Sequence, residues 1–103
     1  MRIREIIVED RAQIELMIAM KFGRTIESLV VETNEVKQQN KTPSDLLVAL
    51  QDINYVLLQV ITSDIWDINM QYDIDRAALY TLASSTYSEN EGDINKLLIG
   101  GSI

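Results

Sequence analysis

Residues 42–61 read TPSDLLVALQDINYVLLQVI, and this stretch decides the fold. Thr42 is placed as a helix N-cap, Pro43 as the first helical residue and Asp45 as the third. A helix is predicted from Pro43 to about Trp66. Leu46, Leu47, Leu50, Ile53, Val56, Leu57, Val60 and their neighbours cover most of its circumference. A helix so apolar is either central in its domain or buried in an oligomer. Its exceptions, Asp45, Asp52 and Gln59, recur every seven residues and return to nearly the same angle, making a narrow polar stripe on an apolar rod.

Upstream lies a matching partner. A helix is predicted from near Thr25 to near Gln39, with Ile26, Leu29, Val30, Thr33 and Val36 or Lys37 facing inward. Ser28, Glu32, Glu35 and Gln39 form the neighbouring polar stripe. Before it, Asp10 and Gln13 have the spacing of a capping box, so a first helix is expected from about Arg11 to Phe22, after an apolar lead Ile3–Val8 and before a stop at Gly23. Downstream, DIWDINMQYDID is a polar break. A fourth helix is expected from Asp73 or Ile74 to Tyr87, followed by a charged turn and a short apolar segment, Ile94–Ile99, that needs a surface to pack on.

The expectation is an all-α, four-helix bundle-like single domain over residues 1–103, with about 94–103 as a docking tail. One proline and four glycines leave long helices uninterrupted, and 103 residues suffice for one domain with a modest core. Oligomerisation, or a protein partner, through the apolar third helix is expected.

Composition removes several classes of chemistry. There is no cysteine and no histidine, so disulfides, thiol nucleophiles, the usual zinc sites and histidine bases are absent. The net charge of −7 argues against direct binding of nucleic acid or of an anionic membrane. It suits a cation or a basic protein partner, and equally plain solubility. The opening MRIREIIVED has no apolar signal core, and no run is read as reaching transmembrane length. An intracellular location is expected, in the cytoplasm or within a virion. Asn40-Lys41-Thr42 matches a glycosylation acceptor that means little without secretion.

The carboxylates Glu32, Glu35 and Asp52 are the first candidate site. Glu32 and Glu35 are three residues apart on one helix, and a connection near residues 40–43 brings Asp52 roughly level with them. Oxygen ligands of this kind suit Mg²⁺. The alternative is solvated glutamates and an aspartate paired with a cation. Residues 67–78, DINMQYDIDRAA, alternate like a calcium loop, but Tyr72 replaces its glycine and Ala78 its final glutamate, so an inter-helix connection is the better reading. Ser84–Ser88, SSTYS, has no evident base nearby and reads as helix-end hydroxyls. Trp66, Tyr55, Tyr72 and Tyr80 read as core or interface aromatics.

TIESLVVETNEVKQQ followed by DLLVALQDINYVLLQVI resembles the core of the MazG-like all-α nucleoside triphosphate pyrophosphohydrolases. Glu32-Thr33-Asn34-Glu35 matches that family's Glu-x-x-Glu pair. Ala49-Leu50-Gln51-Asp52 matches its Glu-x-x-Asp pair except at the glutamate, and Asp73–Glu89 has the cadence of a later segment. The resemblance covers residues 24–89. It implies Mg²⁺ held by Glu32, Glu35 and Asp52, with Asp45 a weaker addition, and a nucleoside triphosphate as substrate. Catalytic residues are not assigned. Three departures point to a changed site or a lost reaction: Ala49 stands for an acidic ligand, Glu89 for a phosphate-binding lysine and Thr86 for an asparagine. The other functional reading is a non-enzymatic, small acidic helical interaction or structural protein, for example a viral assembly or accessory subunit.

Overall fold

The computed structural model describes residues 3–39, 41–67 and 73–100, with side chains from residue 12 onward in the first segment and from residue 76 in the last. The described residues form four α-helices and no strand: α1 (Ile3–Phe22), α2 (Ile26–Gln38), α3 (Pro43–Ile61) and α4 (Asp73–Leu98), with a one-turn 3-10 helix at Asp64–Asp67. The all-α class is as the sequence implies.

Local chemistry sets the helix starts. Thr25 Oγ1 accepts from Ser28 N at 3.0 Å, and Ser28 Oγ accepts from Thr25 N at 3.1 Å, which closes a capping box on α2. Thr42 Oγ1 accepts from Asp45 N at 3.2 Å, with Pro43 opening α3. Gly23 ends α1 with φ +77°, a conformation that costs other residues steric strain.

Three boundaries differ from the sequence expectation. α1 begins at Ile3 rather than Arg11, so Asp10 falls inside the helix rather than at its start. No glycine or proline interrupts residues 3–22, and the capping-box spacing alone does not start a helix. α3 ends at Ile61 rather than Trp66. Thr62 Oγ1 donates to Leu58 O at 2.7 Å, and Trp66 Nε1 folds back to donate to Val60 O at 2.8 Å, so side chains satisfy the last carbonyls. α4 runs through the expected turn to Leu98. Asn90 and Ile94 are both buried there, and such tertiary contact overrides the helix-breaking tendency of Asn90 and Gly92. The Ser84–Ser88 hydroxyls therefore sit in mid-helix. Thr86 Oγ1 and Ser85 Oγ donate back to Leu82 O at 2.8 and 3.2 Å. The calcium-like stretch 67–78 includes residues 68–72, Tyr72 among them, which lie outside the described residues.

The core is a seam around α3, which touches all three other helices. Leu50, Ile53, Leu57 and Val60 of α3 pack with Ile14 and Ile18 of α1, Ile26, Leu29 and Val36 of α2, and Leu79, Ala83 and Ile94 of α4. Asn54 of α3 lies level with Tyr87 and Glu91 of α4, and Trp66 with Tyr80, so those two elements run antiparallel. The radius of gyration is 15.4 Å, against about 13 Å for a compact domain of this length. The accessible surface is 6535 Å², against roughly 5,900 Å² expected from the mass. An elongated shape leaves apolar surface outside the core.

That surface concentrates where the sequence is most apolar. By length and mean hydropathy (1.4), the span Pro43–Asp67 is long and apolar enough to cross a membrane, contrary to the expectation that no run qualifies. A core helix has the same composition, and α3 packs on its three neighbours. Yet only 28% of that window is buried.

Leu57→Ala should cost about 2–5 kcal/mol, because it empties a fully buried position. Thr42→Ala should cost about 1 kcal/mol through the lost cap. Urea denaturation of each variant checks both, and a Leu57→Ala cost below that of the cap would contradict the placement of α3 at the centre.

Candidate functional site

The α2 stripe follows the predicted helical spacing. Glu32 and Glu35 both border a shallow depression together with Arg24, Thr25, Glu27, Ser28 and Val31. Every one of these residues belongs to α2 or its N-terminal approach, so the depression is one helix's outer face. Arg24 forms an ion pair with Glu32. Asp52 and Asp45 are exposed on α3 and do not border this depression. Glu32 and Glu35 thus border one depression, and Asp52 is not among the residues that line it. Ala49, at the missing acidic position, is half-buried against the core.

These residues fit a hard divalent cation poorly. Such an ion wants several oxygen ligands converging from different directions. Here one glutamate is already engaged by an arginine, and the ligands would share a single face. Among the described residues, no group of three or more histidine, cysteine, aspartate or glutamate side chains could hold a metal ion.

A polar seam inside the bundle of contacts was not anticipated. Asn90 is fully buried, and its Nδ2 donates to Thr33 Oγ1 at 3.4 Å across the α2–α4 contact. Asn54 Nδ2 donates to Tyr87 O at 3.1 Å and Glu91 Oε1 at 3.0 Å across the α3–α4 contact. Lys37 bridges from α2 to Asp93 at 2.8 Å and Glu89 at 3.5 Å on α4. The Oδ1 atoms of Asn54 and Asn90 are buried and accept no hydrogen bond from the protein. The signal in the sequence was the polar residue at an inward register, Asn54 on the rod and Asn90 at the N-terminal edge of the final apolar segment. Glu15 was also missed. From α1 its carboxylate accepts from Ile26 N at 3.2 Å and Glu27 N at 3.4 Å, an anion on the N-terminus of α2.

The far end carries an aromatic corner. Trp66 and Tyr80 meet edge to face at 5.3 Å, and Arg76 donates to Trp66 O at 3.1 Å. Nearby, Lys21 of α1 donates to Ser63 Oγ at 3.2 Å and pairs with Asp64 at 3.1 Å. The hydrogen bond and the charge of Lys21 hold the Asp64 carboxyl below its ordinary value of 3.8.

The third opening is the groove between α3 and α4. Gln51, Asn54, Tyr55 and Leu58 form one wall, and Tyr87, Glu91, Ile94, Asn95 and Leu98 the other. Tyr55 is 66% exposed, Leu58 43% and Leu98 59%. Comparison with protein families, with curated proteins and with solved structures finds no match to this chain.

Two consequences can be measured. Asn90→Ala should cost about 1–3 kcal/mol, while Thr33→Val with Asn90→Leu should be close to neutral, since both partners of a buried bond are then removed. Thermal unfolding of the two variants decides whether the bond is part of the core. Because the folded pKa of Asp64 is depressed, its contribution is present above pH 3.8 and is lost as pH falls through the lower folded value. Carboxyl NMR titration should show Asp64 below that ordinary value, and Lys21→Met should return it there.

Proposed function

We propose that this is a non-enzymatic, acidic helical interaction protein, a four-helix bundle that works by presenting the outward surface of α3 and α4 to another protein. One observation carries this reading. The most apolar helix among those described sits at the centre, yet Val48, Tyr55 and Leu58 on it remain exposed, and Tyr55 and Leu58 border one groove with exposed Leu98 of α4. Scattered apolar residues on a surface are ordinary, but contiguous ones bordered by polar side chains mark contact sites. The surplus accessible area and the acidic charge point the same way.

A second reading has one observation in its favour. Glu32 and Glu35 open on the same depression of α2, as a divergent MazG-like pyrophosphohydrolase would require for Mg²⁺ and a nucleoside triphosphate. The pairing of Glu32 with Arg24, the place of Asp52 outside the lining of that depression and the apolar packing of Ala49 weigh against it.

Incubation of the purified protein with Mg²⁺ and a panel of NTPs and dNTPs separates the two. The expected result is no pyrophosphate release and no rise in melting temperature with Mg²⁺, since a ligand of the folded state stabilises it by mass action. Turnover that disappears in Asp52→Asn would overturn the interaction reading.

A further inference from the structure

The α3–α4 groove differs from a merely apolar surface in the chemistry of its floor. Asn54, 3% exposed, is one of its lining residues and is tied to Glu91 across it. Its amide orientation is set by its partners: Nδ2 faces the Tyr87 carbonyl and the Glu91 carboxylate, both acceptors, so exchanging nitrogen and oxygen would set acceptor against acceptor. Beside it stands Glu91, the only Asp, Glu, Lys or Arg among the residues lining the groove. One carboxylate therefore lies between apolar side chains, with no cation of the lining set to meet it.

We propose that this groove receives an amphipathic helix of a partner protein, which places a lysine or arginine against Glu91 and apolar residues over Tyr55, Leu58 and Leu98. This rests on the interaction reading above and names the partner's chemistry. A helix is the occupant because both walls are helices whose backbone groups are satisfied internally, so there is no strand edge to pair with. Such grooves take apolar side chains at helical spacing. The cation follows from charge complementarity, locally at Glu91 and globally from the net charge of −7. A second copy of this chain is disfavoured by the same charges, because a two-fold contact would bring two equally acidic molecules together.

The probe is a synthetic amphipathic peptide of about 18 residues, spanning five turns, with leucines on one face and lysines on its flanks. A control peptide carries glutamate at every lysine position. Fluorescence anisotropy with the full chain should show binding of the lysine peptide and none of the glutamate peptide. Glu91→Gln keeps an acceptor for Asn54 but removes the charge, and should weaken binding roughly ten- to hundredfold. Leu58→Ser, at an exposed position, should weaken it without lowering the melting temperature. Asp67→Asn removes one negative charge outside the groove and should leave affinity unchanged, which separates groove binding from attraction to an acidic protein in general. Equal binding of both peptides, no binding, or equal losses from Glu91→Gln and Asp67→Asn would each overturn the proposal. So would a dimer in sedimentation that Leu58→Ser dissociates, since a second copy would then fill the groove. Failure here with no nucleotide turnover removes only the proposed partner, whereas turnover removes the interaction reading itself.

Discussion

α3 carries apolar side chains through most of its circumference, and among the described residues three other α-helices cover them. Each neighbour takes a share. α2 covers the rod with Ile26, Leu29 and Val36, α4 with Leu79, Ala83 and Ile94, and α1 with Ile14 and Ile18. Burying such side chains contributes on the order of 1.5–3 kcal/mol each, before the entropy of ordering them is counted. Coverage stops short on the side where Val48, Tyr55 and Leu58 project. The same feature that organises the core thus leaves the surface on which function is proposed.

Apolar burial alone would leave the helices free to slide and rotate, because leucine and isoleucine are interchangeable knobs. Directional contacts limit this. Thr33 with Asn90 fixes α2 against α4, Lys37 reaches Asp93 one turn on, and Asn54 holds α3 against Tyr87 and Glu91. Lys37 and Asp93 are only 19% and 17% exposed, so their pairing is less screened than a surface ion pair and imposes register at some cost in desolvation. Asn90, Glu91 and Asp93 lie where the sequence suggests a charged turn, and Tyr87 at the expected end of the helix. The helix there is held by what it touches rather than by its own propensities.

This explains which parts of the molecule were legible in the sequence. The starts of α2 and α3 were readable because a cap is a local event: Thr25 and Thr42 need only the residues three positions on. The inward face of α2 was readable for the same reason, since periodicity is a local pattern, and Leu29, Thr33 and Val36 are buried as their spacing implies. The continuation of α4 was not, because the partners of Asn90 are 57 and more residues away along the chain or pack around it from other helices. The carboxylate site suffered similarly. Spacing shows that Glu32 and Glu35 share a face, but not that Arg24 occupies one of them or that Asp52 turns to solvent.

The two openings also differ in how their charges are met. On α2 the acidic side chains sit with Arg24, on a depression formed by one helix, and their electrostatic demand is partly answered within the chain. In the α3–α4 groove, Glu91 answers Asn54 as an acceptor, yet no cation of the lining set meets its charge. Exposed carboxylates lose little by facing water, so their clustering on α2 demands no ligand. On these grounds Glu91, set among the exposed apolar side chains of the groove, is a stronger pointer to a partner than the more conspicuous acidic stripe of α2.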